Sequence, residues 1–239
     1  MNKKIISFVL VLFILLTSVL SIIVRLSDSE LLAGQFSALV FPFTTLIYFL
    51  NVKNRSFYMM AFFVIYSIAD LLVFVIENIS EDLRYYLGNF LYLTAYTAIV
   101  IEVTKQVNFK RLFKHFKVHL VVLILLSVYL VIVFQKIIEP HLIVDTDYYV
   151  EISYNIVLMV LLTLSFLNYL VSNNNKRTLF LFLGVFFLFF CELIMLTYIY
   201  VLPKGILHNI SIILYVSSCY FFIWQAKLND SRLSVKDVA

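Results

Sequence analysis

The chain has 239 residues, 63% hydrophobic and 13% charged, with a mean hydropathy of +1.01. A soluble domain of this size is about half apolar and about a quarter charged, so the composition excludes a water-solvated enzyme. The formal charge of +4 sits in short connections between apolar runs, where membrane orientation explains it, and no nucleic-acid partner is implied.

Taken in chain order, eight apolar segments are long enough to cross about 30 Å of hydrocarbon. Lys3 and Lys4 precede a run over 5–24. That run is longer than the ~7–15 residue core of a signal peptide and lacks a small-x-small site, so it reads as a retained first span. The second span, 31–50, contains Pro42, which predicts a kink and a freed carbonyl met by a threonine hydroxyl or a neighbouring helix. The third span, 57–76, carries Asp70, with Tyr66 and Ser67 one turn earlier on its face. The fourth, 84–103, carries Asn89 and Tyr96, with Glu102 near its end reaching water.

A basic connection over 104–117 follows, with Phe109, Phe113 and Phe116 spaced between its charges. It reads either as a topogenic loop or as a segment lying on anionic headgroups. Spans over 118–138 and 149–170 come next, the latter with Asn155 near its start. The seventh, 179–201, carries Gly184, Cys191 and Glu192, and the eighth, 206–226, carries Tyr215. Gly184 and Ala61 read as points of close helix approach, and residues 227–239 as a loose polar tail.

The expected fold is therefore all-α, a polytopic bundle of eight transmembrane helices forming one domain over 1–226. Spans three and seven each carry one acid about thirteen residues after a short basic turn, which suggests two four-helix parallel repeats. Cys191 and Cys219 lie in apolar runs, so no disulfide framework is expected. His115, His119, His141 and His208 lack metal-ligand spacing, and no metal site is expected.

With the amino terminus placed inside, the inner connections hold 14 of the 18 basic residues; Arg25, Arg84, Lys136 and Lys204 lie outside. That asymmetry puts both termini in the cytoplasm, in a chain read as a bacterial inner-membrane protein. Asp28, Glu30, Glu77, Glu81, Asp82, Glu139, Asp145, Asp147 and Glu151 fall on the outer side.

Asp70 and Glu192 carry the functional argument, because an ionisable group in hydrocarbon is costly and usually faces a bundle interior or a wet cavity. At 1.5 Å per residue both lie about 20 Å from the inner helix ends. Two carboxyls sharing a dry site do not easily both ionise, so one is expected to donate a proton and the other to accept one. Tyr66, Asn89, Asn155 and Tyr215 are candidates for a polar, substrate-binding lining, or else simple helix-to-helix hydrogen bonds worth about 0.6–2 kcal/mol each.

Several of these residues occur in short motifs. Phe41-Pro42-Phe43-Thr44-Thr45 resembles the Lys-Pro-Leu-Thr-Thr signature in span two of the YhhN family, whose characterised members are lysoplasmalogenases. Ser67 through Leu72 resembles its Gly-Asp motif, and Leu87-Gly88 through Tyr96 its glycine-led fourth span. Cys191-Glu192 sits where the family has Ser-Asp, and Leu214-Tyr215 to Gln225 resembles its tyrosine-bearing last span. The departures are Phe41 for lysine, Ala69 for glycine, Tyr96 for histidine and Glu192 for aspartate. The resemblance implies hydrolysis of a vinyl ether in a lysolipid, with Asp70 and Glu192 as catalytic acids, Tyr96 among the substrate-binding groups, and no metal or organic cofactor. A membrane lipid or lysolipid is the implied partner. A small transporter or lipid-binding protein using the same acids, or a relative without activity, is the competing reading.

Overall fold

The computed structural model describes residues 3–27, 29–78, 80–142, 145–173 and 175–236, those at 76–78, 81, 145 and 229–236 by backbone alone. Backbone amides have no water to bond in lipid, so long apolar runs close their hydrogen bonds internally as helices. The ten α-helices are α1 (Lys3–Leu26), α2 (Glu30–Ala38), α3 (Val40–Asn51), α4 (Phe57–Leu71), α5 (Glu81–Gln106), α6 (Phe109–His115), α7 (Lys117–Ile138), α8 (Asp145–Val171), α9 (Lys176–Tyr200) and α10 (Gly205–Lys236). Counting α2 and α3 as one broken span, eight among the described residues are long and apolar enough to cross a membrane. The described residues contain no strand, and the molecule is a multi-pass helical membrane protein.

The second span breaks at Leu39, between Ala38 and Val40. Pro42 has no N–H for the Ala38 carbonyl, and its ring crowds that carbonyl, so the kink falls one turn upstream. The two threonines do not fill the gap. Thr44 bonds back to Val40 O (2.8 Å), and Thr45 crosses to span three, donating to Phe63 O (3.0 Å) and pairing with Ser67 Oγ (2.7 Å). Ser67 therefore faces span two.

The third span changes character beside its acid: α4 ends at Leu71 and continues as a 3₁₀ helix over Leu72–Asn78. Tightening of this kind often marks a functional position. The expected loose tail is instead helical as far as Lys236, as a continuation of α10. In the basic connection, α6 buries Leu112 and exposes Phe109 and Phe113, while Phe116 turns inward and packs on His119. Glu102 is held by Ser56 Oγ and by Gln106 Nε2 (2.8 Å).

The packing order places the acids. α1 packs on α2 and α3, α3 on α4, α4 on α5, and α5 on α8. α8 also receives α7 and α9, α9 pairs with α10, and α10 closes onto α1 and α3. α4 and α9 share no extensive face, so Asp70 and Glu192 meet across space framed by α5 and α10. The α9–α10 approach is close at Gly184, where a Cβ would stand 3.0 Å from the Phe222 ring, and Ser218 Oγ donates to Gly184 O (2.8 Å). Small residues at such crossings let backbones meet in lipid.

The bundle has a basic end, with Lys3, Lys53, α6 and Lys176, and an acidic end, with Glu30, Asp82, Glu139 and Asp147. Asp28 lies outside the described residues, as do the side chains of Glu77, Glu81, Asp145, Arg232 and Lys236.

Candidate functional site

Asp70, in the last turn of α4, is bracketed by two tyrosines from different helices. Tyr92 Oη on α5 donates to Oδ1 (2.8 Å), and Tyr215 Oη on α10 donates to Oδ2. Glu192 on α9 is held likewise. Tyr96 Oη, one turn beyond Tyr92, donates to Oε1 (2.7 Å), and Tyr154 Oη on α8 donates to Tyr96 Oη (3.3 Å) and lines the same cavity as Glu192. A hydrogen bond to a charged group contributes about 1.5–3 kcal/mol. These clamps offset part of the cost of keeping a carboxyl away from water.

Both acids are half-buried and face one cavity of about 330 Å³, within the ~300–1,000 Å³ range of ligand sites. Tyr66 and Tyr215 line it with them, as do Cys191, Met195 and His208. Tyr66 stacks on the fully buried Phe41 ring at 4.1 Å, edge-on to Tyr92 at 5.0 Å. Tyr66 thus gives the cavity an aromatic face, with Phe41 packed behind it. Gly34, Ala38, Val73 and Ile212 add apolar lining, so the cavity combines hydrocarbon-compatible surface with the two acids.

Of the residues singled out in the sequence, Asp70, Glu192, Tyr66 and Tyr215 come together here. Tyr96 is completely buried behind Glu192 and orients it. Asn89 and Asn155 line a second compartment of about 210 Å³ that Glu192 also borders. Asn89 is tied to Tyr85 O (3.1 Å).

Sequence reasoning missed Tyr92, Tyr154 and His208. Tyr92 and Tyr96 show an i, i+4 pairing that puts both on one helix face, a signal visible in the sequence but common among 16 tyrosines. His208 fails as a metal ligand by spacing, yet it lies on the acid cavity, 8% exposed, with no hydrogen-bond partner at either ring nitrogen. Beside it Arg25 pairs with Glu30 (2.7 Å) and lies 4.9 Å over the Tyr198 ring. No group of three or more His, Cys, Asp or Glu side chains able to hold a metal occurs among the described residues.

A larger groove of about 460 Å³ runs between α7 and α8. Its only polar lining residues are Ser127 and Thr163, which bond each other (2.8 Å), so the ionisable groups lie in the smaller acid cavity. Comparison with protein-family models, curated proteins and solved structures returned no match.

Proposed function

We propose that the chain is a membrane-embedded hydrolase of ether-linked lysophospholipids, a divergent relative of the YhhN lysoplasmalogenases. The observation that carries the reading is the convergence of Asp70 and Glu192, from helices without a common face, on one cavity. Vinyl-ether hydrolysis needs this pairing. One carboxylic acid gives its proton to the vinyl carbon that does not bear the ether oxygen, and the ether-bearing carbon becomes an oxocarbenium ion. The other carboxylate stabilises that cation and takes a proton from the water that adds to it. The resulting hemiacetal splits into a fatty aldehyde and a glycerophospholipid alcohol, and proton exchange with water restores both acids. The half-apolar cavity suits a substrate whose chain remains in hydrocarbon while its ether linkage reaches the acids.

The departures from the family pattern bear on rate more than on architecture. Phe41 supplies an aromatic face where the family has a lysine, and the glutamate at 192 extends its carboxyl by one methylene. Misplacement on the order of 1 Å costs about 10²-fold in rate.

The remaining parts of the proposal are organisation and orientation. The neighbour order within spans one to four is repeated in spans five to eight, and the α5–α8 contact has its counterpart in α10–α3, which supports two parallel four-helix halves. The basic end faces the cytoplasm by the positive-inside rule, in a bacterial inner membrane.

The test is aldehyde release from a lysoplasmalogen by the purified protein beside Asp70→Asn and Glu192→Gln. Release by the parent that both substitutions abolish, with folding intact, supports the hydrolase. No release from folded parent protein moves the assignment to lipid binding or proton-coupled transport through the same acids.

A further inference from the structure

Glu192, together with Tyr92, Tyr154, Met195 and Ile199, lines both the acid cavity and the 210 Å³ compartment bounded by α5, α7, α8 and α9. We propose that this second compartment is a hydrated access path, by which water from the acidic end of the bundle reaches Glu192 separately from any ligand in the acid cavity.

Along α8, Asp147, Glu151 and Asn155 recur every four residues, a single stripe stepping inward by about 6 Å per residue pair. Asp147 stands at the surface, where Tyr86 Oη donates to it (2.7 Å). Glu151 is half-buried and accepts from Tyr85 Oη (2.8 Å). Asn155 is 3% exposed and lines the compartment beside Glu192. The stripe thus leads from the end of the bundle to the buried acid.

One polar atom on this path has no protein partner. Asn155 Nδ2 is buried and has no acceptor, and a buried donor left unsatisfied costs about 1–3 kcal/mol. Glu151 and Glu192 both border the compartment, yet no Lys or Arg is among its lining residues. The titratable groups facing Glu151 are Tyr85 on α5, Asp147 on α8, and Glu192 and Tyr200 on α9, none of them a cation. An amide donor without an acceptor, beside carboxyls that each accept one phenol hydroxyl and keep further lone pairs, describes a site for water, which both donates and accepts. At ~30 Å³ per molecule the compartment has room for several waters, and water continuous with the surface carries protons with it.

The path concerns access to Glu192 and not what Glu192 reacts with, so its test needs no substrate. In a Cys191→Ala, Cys219→Ala background, single cysteines are placed by Asn155→Cys, Glu151→Cys and the outward-facing Ile156→Cys (46% exposed). The purified proteins are treated with aminoethyl methanethiosulfonate, and modification is followed by mass spectrometry. Thiolates in water react and thiols in hydrocarbon do not, so the cysteine at 155 is expected to be modified at least about tenfold faster than that at 156. Equal rates in folded protein overturn the path. If the Asn155→Cys protein does not fold, Glu151→Cys gives the same reading one turn nearer the surface, with the same criterion.

Discussion

Asp70 and Glu192 differ from ordinary buried acids in their companions. Neither pairs with a cation; each is held by phenol hydroxyls that donate without adding charge. The hydroxyls fix where the carboxyl oxygens point while leaving lone pairs toward the cavity. Tyr215→Phe keeps the ring in place on Phe41 and removes only the donor to Asp70. With about 1.5–3 kcal/mol at stake, aldehyde release is expected to fall roughly ten- to a hundredfold, measured as kcat/KM. Tyr92→Phe is expected to act similarly. The double variant is expected to lose less than the product of the two, because both hydroxyls serve one carboxylate; a full multiplicative loss would show that they act independently. Thr45→Val tests a purely structural contact, the tie from Thr45 to Phe63 O and Ser67. Interhelical bonds of this kind contribute about 0.6–2 kcal/mol in membranes, so a drop of a few degrees in Tm in detergent is expected.

Helices set the position of these side chains through three local devices. The break at Leu39 separates α2, which lines the acid cavity with Gly34 and Ala38, from α3, which packs on α4 and α10. The α-to-3₁₀ change after Leu71 comes within one turn of Asp70. The Gly184–Phe222 contact brings α9 against α10, setting Glu192 and Tyr215 around one space. Phe222 is fully buried and has nowhere to swing, so Gly184→Ala overpacks the crossing and is expected to cost about 1–3 kcal/mol. Gly88→Ala is the control. Its Cβ meets nothing within 4 Å, and replacing a mid-helix glycine is expected to be neutral or to stabilise by up to about 1 kcal/mol. Thermal unfolding in detergent separates the two, and equal Tm values would deny the tight crossing. The crossing was legible in the sequence as a small residue in an apolar run. The helix break was legible through Pro42, but not the destination of Thr45, because a hydroxyl chooses among carbonyls that only packing brings near.

At the scale of the molecule, charge sorts the two ends. Lys53, Lys110, Arg111 and Lys176 lie together at one end, while Glu30, Asp82 and Asp147 lie at the other. A reporter fused after Ala239 is expected to report the cytoplasm, and one inserted between Leu202 and Gly205 the opposite side. The reverse pattern would invert the proposed orientation and place the path to Glu192 on the inner face.

The sequence by itself determined the eight apolar spans, their helical state, their alternating direction and the presence of an acid in each of spans three and seven. These follow from the hydrocarbon solvent, which acts on each segment separately: it demands length, apolarity and closed backbone hydrogen bonds. Only the tertiary structure decided that the two acids share a cavity, that Tyr92 and Tyr154 attend them, that Asn89 and Asn155 line a second compartment that Glu192 also borders, and that His208 lines the cavity of the acids. Those are relations between segments. In lipid they are set by side-chain shape and polar pairing rather than by hydrophobic burial, and apolar periodicity carries little record of them.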